Sequence, residues 1–170
     1  MVIYPDTVAL PVAQQLLQCL CQAVTANPKP PQNCGFRPYI NGAPLLGTTV
    51  DECCEGLAFV YSAPAFPSRT AFPAPEPGPV ICGLTWAMQM QMGIWRCAPV
   101  GTLQAPPVQA DWGELQTDLF NDFASLRDAL CCFLAVRQKK TVSLDGWDVV
   151  SDGPEGGCIG TVMTLKVQLI

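Results

Sequence analysis

The sequence contains no histidine among its 170 residues. Histidine is the base of Ser–His–Asp and Cys–His catalytic groups and a ligand in HExxH and Cys2His2 zinc sites, so all of these arrangements are excluded. A GxxxxGK[ST] phosphate-binding loop is also missing, and the glycines of GGCIG precede a predicted strand, whereas dinucleotide-binding glycines open a helix. The sequence therefore predicts a protein that is not an enzyme and that uses no cofactor and no metal.

Charged residues are scarce as well. They make up 14% of the chain, against about 25% in ordinary soluble domains, while hydrophobic residues reach 49%. The longest apolar run, near 129–136, is far too short to span a bilayer. The opening MVIYPDTVALPVAQQ lacks the basic start of a signal peptide. We therefore expect no membrane association and no signal peptide, and we expect partner proteins to cover much of the surface.

Positive charge is too sparse for nucleic-acid binding. The nine Lys and Arg residues are outnumbered by acids, for a net charge of −5, so the chain cannot neutralise many phosphates. The one basic cluster is Arg137, Lys139 and Lys140, and it lies where a predicted helix ends, a place where cations complement the helix dipole. The sequence thus predicts no specific contact with DNA.

Two segments have the apolar spacing of amphipathic helices. The first begins at Asp6 or Thr7 and ends near Asn27, and the second covers 111–138. The apolar face of the first comprises Val12, Ala13, Leu16, Leu17, Leu20, Cys21 and Val24. That of the second comprises Leu115, Leu119, Phe123, Leu126, Leu130, Phe133 and Leu134.

Strands alternate with these helices along the chain. In CGLTWAMQMQMGIWRC the side chains alternate strictly, as in an antiparallel strand with one buried face. EGLAFVYSA, a short segment after Thr141 and the closing segment from Cys158 also have strand character. The order predicts an α+β fold, a mainly antiparallel sheet flanked by two helices, in a single domain covering 1–170.

A proline-rich segment, PAFPSRTAFPAPEPGP at about 64–79, interrupts this pattern. Its six prolines argue against both a helix and a central strand. A loop of this length is usually either functional or disordered. Because Phe66 and Phe72 are aromatic, we favour an ordered arm in which Phe66, Phe72 and Pro73 dock on a partner over a flexible insert. The closing strand supplies further candidate interface residues, Leu165, Val167 and Leu169, if it pairs within its own sheet while also contacting a neighbour.

Two acidic segments do not match known sites. In DGWDVVSDGPE the acids miss the spacing of an EF-hand loop, so we expect a solvated turn. The carboxylates of DECCE flank two cysteines, but nothing nearby marks a substrate pocket.

The ten cysteines leave several interpretations open. As core thiols or as disulfides formed late, the candidates are Cys19, Cys34, Cys53, Cys54, Cys82, Cys97, Cys131, Cys132 and Cys158, with Cys21 in addition. An all-thiolate zinc site built from Cys19, Cys21, Cys34, Cys53 and Cys54 is disfavoured because the chain has no CxxC motif. Neither cysteine doublet readily closes on itself, and the sequence does not give the connectivity.

Four segments, in order, carry a family resemblance. CCEGLAFVYSAPAFPS, LTWAMQMQMGIWRCAPV, LRDALCCFL and GPEGGCIGTVMTLKVQL resemble the tail terminator, or head-to-tail connector, proteins of siphophages that infect actinobacteria. The likeness covers most of the chain from Cys53 onward. The first fifty residues match nothing in that family, which leaves the position of the first helix open.

The resemblance implies a structural virion protein with a small α/β or α+β subunit, in which helices flank a sheet. Such terminators form a ring, commonly a hexamer, on the last ring of the tail tube, stop tube growth, and bind the neck adaptor or stopper proteins of the head. The implied partners are therefore copies of itself, the tail-tube protein and the neck proteins. DNA passes through the channel without specific binding, which a net-negative protein favours. The implied location is the virion, with assembly in the host cytoplasm.

Other functions remain open at this point. Within the same virion the alternatives are a neck adaptor or stopper and a tail-tube subunit. From different classes they are a disulfide-rich extracellular binding module and a zinc- or redox-active cysteine enzyme.

Overall fold

The computed structural model describes residues 8–37, 39–40, 43–44, 54–68, 71–75, 77–78, 85–99, 101, 106–137, 142–155 and 157–169. Two helices lie within these residues, α1 at Ala9–Val24 and α2 at Gln109–Val136. Helix α1 ends three residues before the predicted Asn27, because Pro28 disfavours helical geometry at the residue before it. Helix α2 begins two residues before the predicted position, since the Asp111 carboxylate accepts a hydrogen bond from the Val108 N–H at 3.0 Å and so lies inside the first turn.

Five strands form the main sheet, in the spatial order β1-β4-β5-β7-β6. They are β1 at Asn33–Phe36, β4 at Leu57–Pro67, β5 at Trp86–Cys97, β6 at Val142–Glu155 and β7 at Cys158–Leu169. Strand β1 runs parallel to β4, and the other three pairs are antiparallel, so the sheet is mixed. Strands β2, at Tyr39–Ile40, and β3, at Ala43–Pro44, form a separate two-stranded ribbon. The architecture is α+β.

Both helices pack against the same face of the sheet. The sheet side of this core is Ala58, Val60, Met88, Met90, Met92, Ile94, Met163, Leu165 and Val167. Helix α1 contributes Leu16 and Leu20, and α2 contributes Leu126 and Phe133. The predicted alternation of β5 is confirmed from Met88 to Met92. Trp86, at the start of the strand, is exposed, and both faces are buried from Gly93 to Arg96. Full burial of each large apolar side chain stabilises the fold by roughly 1.5–3 kcal/mol.

A smaller cluster covers part of the opposite face. It comprises Leu57, Phe59, Tyr61, Trp95, Cys158 and Val162. The Tyr61 hydroxyl donates to the side-chain oxygen of its cross-strand partner Gln91. Because successive residues of a strand point to opposite faces, the same strands supply both clusters.

Two predicted loops are strand in the structure. Strand β4 continues beyond the predicted boundary at Ala63 to Pro67, with an irregular register between Ser62 and Ala65. Only Leu57–Val60 pair with β1, so the prolines lie where β4 has β5 on one side and no described strand on the other, and an edge tolerates proline.

The second predicted loop is DGWDVVSDGPE, at 145–155. The expected solvated turn is wrong, since 142–155 forms one strand paired with β7. Register shifts between Asp145 and Trp147 and between Asp152 and Glu155 absorb the glycines and the proline, as β-bulges do.

Candidate interaction surfaces

The proline-rich segment begins with an ordered turn. The Ser68 hydroxyl donates to the Ala74 carbonyl at 2.7 Å, and the Gln168 amide donates to the Ser68 carbonyl at 2.7 Å. Between these anchors the Phe72–Pro73 peptide bond is cis. Phe66, Phe72 and Pro73 are all half-buried. The turn is tied to the end of β7, and residues 69–70, 76 and 79–84 lie outside the described part of the chain.

The closing strand is buried within its own subunit. Leu165 and Val167 have no exposed surface, because α2 and the rest of the main core cover this face of β7. The prediction that these two residues contact a neighbour is therefore wrong for the folded chain. Leu169 is only partly buried, at the margin of the same core. Its contact with a neighbouring subunit therefore stays a prediction. The position of β7 between β5 and β6 explains its apolar sequence without a partner.

The cysteines are largely paired. Disulfides join Cys19 to Cys132, Cys21 to Cys34, and Cys54 to Cys97, and Cys158 is disulfide-bonded as well. Cys131 is a free, exposed thiol. Cys53 and Cys82 lie outside the described residues. The bridges tie α1 to both α2 and β1, and they tie the segment before β4 to the end of β5.

These bridges remove the ligands of the zinc site considered from the sequence. Cys19, Cys21, Cys34 and Cys54 are all oxidised, so they offer no thiolate to a metal. Among the described residues no cluster of three or more His, Cys, Asp or Glu side chains is placed to hold a metal ion.

A buried ionic group joins β5, α2 and the segment after α1, and the sequence did not predict it. Arg96 donates to both carboxylate oxygens of Asp122, from Nε to Oδ2 at 2.6 Å and from Nη2 to Oδ1 at 2.5 Å. Asn27 Nδ2 donates to Asp122 Oδ1 and to Ser125 Oγ, each at 3.0 Å. Arg96 Nη2 also donates to the Lys29 carbonyl at 2.8 Å.

Burial governs the ionisation of this group. Desolvation raises the pKa of Asp122 above the ordinary 3.8, while the hydrogen bonds and charge of Arg96 oppose that rise. A bidentate guanidinium–carboxylate pair is the arrangement that best offsets the cost of burying both charges. The group therefore serves as a structural tie between β5, α2 and the segment after α1.

The outward face of α2 carries aromatic side chains. Phe120 is 66% exposed, Trp112 42% and Phe123 38%. The prediction that Phe123 lies on the buried face is wrong, because the buried arc of α2 instead includes the polar residues Asp118, Asp122 and Ser125. We define the α2 stripe as the following exposed residues: Trp112, Gln116, Phe120, Phe123, Arg127 and Cys131.

Helical geometry groups the α2 stripe into two rows. With 3.6 residues per turn, residues four apart lie one above the other. The first row is therefore Trp112, Gln116 and Phe120, and the second is Phe123, Arg127 and Cys131. The spacing of these residues is visible in the sequence. However, the exposed aromatic residues lie beside the buried apolar face of α2, so the sequence pattern does not show where the buried face ends.

No protein-family model matches the sequence, and no curated protein matches it either. Within the described residues, neither helix combines the length and the apolar character that crossing a membrane requires.

Proposed function

We propose that this chain is a tail terminator of a siphophage, a ring-forming structural protein that caps the tail tube and binds the neck proteins of the head. The observation that carries the proposal is the charge content of 14% in a chain that is 49% hydrophobic. A ring uses two different surface patches of every subunit for contacts between copies. A tube face and a neck face add further covered area, so few surface charges are needed.

Several features support this function. The four sequence segments that resemble the terminator family fall, in order, on β4, β5, α2 and β7, which make up most of the main fold. Two helices on one face of a mixed sheet are compatible with the small subunit, a sheet flanked by helices, that the resemblance implies. Exposed aromatic side chains such as those along α2 are typical of surfaces that bind other proteins.

A disulfide-rich extracellular binding module is the second candidate. The bridges at Cys19–Cys132, Cys21–Cys34 and Cys54–Cys97 favour it, because disulfides persist mainly in oxidising surroundings. The same bridges are compatible with a virion protein that is made in a reducing cytosol and oxidised after release. Trapping the thiols with an alkylating reagent in freshly lysed producing cells separates the two, since only the extracellular module is bridged at that stage.

Particles assembled without this chain test the proposed function. If the chain stops tube growth, its loss gives tubes of abnormal length that do not join heads, and supplying the wild-type chain restores normal virions. Three outcomes contradict the proposal. Loss of all tubes indicates a tube subunit, normal-length free tails beside leaking heads indicate a neck stopper, and normal infectious particles indicate that the chain is not a virion assembly protein.

A further inference from the structure

We infer that the α2 stripe binds the α2 stripe of a second copy of this chain, with the two helices antiparallel. This contact goes beyond the proposed function. It is isologous, since the same patch is used on both copies, whereas a ring closes through heterologous contacts. It pairs free chains before they enter a ring and keeps the exposed aromatic residues away from water until then.

Self-complementarity of the two rows supports a second copy as the occupant. A two-fold rotation that relates the two copies of α2 about a point between positions 121 and 122 reverses the direction of the partner helix. The row of Trp112, Gln116 and Phe120 then lies beside the partner's row of Phe123, Arg127 and Cys131. Phe120 then lies at the height of the partner's Phe123, and Gln116 lies at the height of the partner's Arg127. Rows of residues four apart that pack along one another are the commonest mode of helix packing in globular proteins, and in that mode the two helix axes cross at about 50°.

The chemistry of each opposed pair is favourable. Phe120 and Phe123 of both copies form a central cluster of four rings, and aromatic pairs gain energy beyond their buried area. Trp112 lies at the level of the partner's Cys131, a sulfur beside an aromatic ring. The Gln116 amide oxygen can accept from the partner's Arg127. In this register the only charged residue of the stripe, Arg127, meets an amide and not a like charge.

The position of the stripe on the helix adds to the fit. Helix α2 has 28 residues, and the stripe from Trp112 to Cys131 covers about 28 Å of it. The crossing point, between Phe120 and Phe123, therefore lies near the middle of the helix, where the two copies approach each other most closely.

The available area matches a reversible dimer. With about 150–250 Å² per aromatic side chain, the exposed fractions of Trp112, Phe120 and Phe123 amount to roughly 300 Å² on each copy. Gln116, Arg127 and Cys131 extend this toward the ~1,200 Å² in total at which specific interfaces begin. The expected dimer is therefore one that concentration controls and that another partner can displace.

Sedimentation of the purified full chain tests whether the dimer exists. The wild-type chain is expected to sediment as a dimer that dissociates on dilution. Phe120→Glu is expected to weaken association at least about 30-fold, since it removes a central anchor of the contact. Thr117→Glu is the matched control, because Thr117 is exposed on α2 but outside the stripe, and it should leave association unchanged. A wild-type chain that stays monomeric at all concentrations tested would overturn the inference, as would an equal loss in both variants.

Cross-linking tests the register. In the proposed pairing the two Cys131 thiols are about 28 Å apart along the helices, so a short bis-maleimide cannot join them. Trp112→Cys places a new thiol at the level of the partner's Cys131, and the same reagent should then give a covalent dimer that peptide mapping assigns to those two positions. Trp112→Cys combined with Cys131→Ser should give none, because the two thiols at position 112 are then about 28 Å apart along the helices. A wild-type dimer cross-linked through Cys131 alone, or a Trp112→Cys chain that does not cross-link, would contradict the register.

Discussion

Arg96 and Asp122 form a buried bidentate ion pair between the end of strand β5 and the middle of helix α2. Arg96 is 5% exposed and Asp122 is fully buried. Arg96 lies two residues after Ile94, on the face of β5 that also carries Met90 and Met92. The row of apolar residues beneath the helices thus ends at the charged Arg96. Its ion pair with Asp122 fixes the point at which α2 crosses the sheet.

Breaking this pair should be costly. Arg96→Met or Asp122→Leu alone leaves an uncompensated buried charge and should lower the free energy of unfolding by about 3–5 kcal/mol. The double variant should lose much less than the sum of the single losses, because no charge then remains buried. Denaturant unfolding with the disulfides intact measures all three. Arg127→Met is the control, since the Arg127–Asp128 pair is exposed on both sides and its loss should cost less than about 1 kcal/mol. Additive losses at Arg96 and Asp122 would contradict coupling between them.

The Arg96→Met variant should also change the pH dependence of stability. Burial already raises the pKa of Asp122, and removing Arg96 removes the influence that opposes the rise, so the pKa moves further upward. With the folded pKa above the unfolded one, the group stabilises the fold below the unfolded pKa of about 4 and loses that contribution as the pH rises through the folded pKa. The deficit of the variant relative to wild type should therefore be smaller near about pH 4 than near about pH 8.

A second variant tests whether Asp122 is the source of this pH dependence. When Arg96→Met is made together with Asp122→Asn, no carboxyl remains at this position to titrate, and the pH dependence of the deficit should disappear. A dependence that persists would place its source elsewhere in the chain.

The disulfides should differ in their contribution to stability. Cys19–Cys132 closes 113 residues of sequence and Cys21–Cys34 only 13. In the chain-entropy description, longer closed loops restrict the unfolded chain more. Replacing Cys19 and Cys132 together by alanine should therefore lower the free energy of unfolding by about 1–2 kcal/mol more than the same change at Cys21 and Cys34. Denaturant unfolding under non-reducing conditions compares the two variants, and an equal loss would argue against loop length as the cause.

Close approach of two strands requires glycine at position 160 in β7. A Cβ atom at Gly160 would overlap the Ile94 carbonyl oxygen on the neighbouring strand β5, whereas a Cβ atom at Gly35 in β1 meets nothing. Gly160→Ala should therefore lower the free energy of unfolding by about 1–3 kcal/mol, and Gly35→Ala should leave it within about 0.5 kcal/mol. Thermal unfolding of the two variants makes the comparison, and a harmless Gly160→Ala would show that the two strands can separate at this point.

The regular elements were predictable because their local patterns are strong. The alternation through Met88, Met90 and Met92 identified β5 and its buried face, and the spacing of Leu16, Leu20 and Val24 identified α1. Arg96 was overlooked because a charge at the end of an apolar row resembles a strand terminus, and its partner Asp122 is 26 residues away. No local pattern reports a contact made over that distance.

The remaining differences also arise from long-range pairing. Strand β6 forms across two register shifts that only its neighbour β7 stabilises, and its glycines and proline by themselves indicate a turn. The partner of each cysteine depends on which elements meet in space, so Cys19 and Cys132 could not be matched from spacing. Phe123 was assigned to the buried face because an aromatic residue beside Leu119 and Leu126 extends the apolar pattern, and only the packed fold shows where that face ends.

The location of this chain in intact virus particles tests the central claim most directly. Electron cryomicroscopy of purified virions, with the chain identified from its side chains in the map, should show one closed ring of copies between the last ring of the tail tube and the neck. Copies repeated along the whole tube, isolated copies that touch no other copy of the chain, or particles without the chain would each contradict the account.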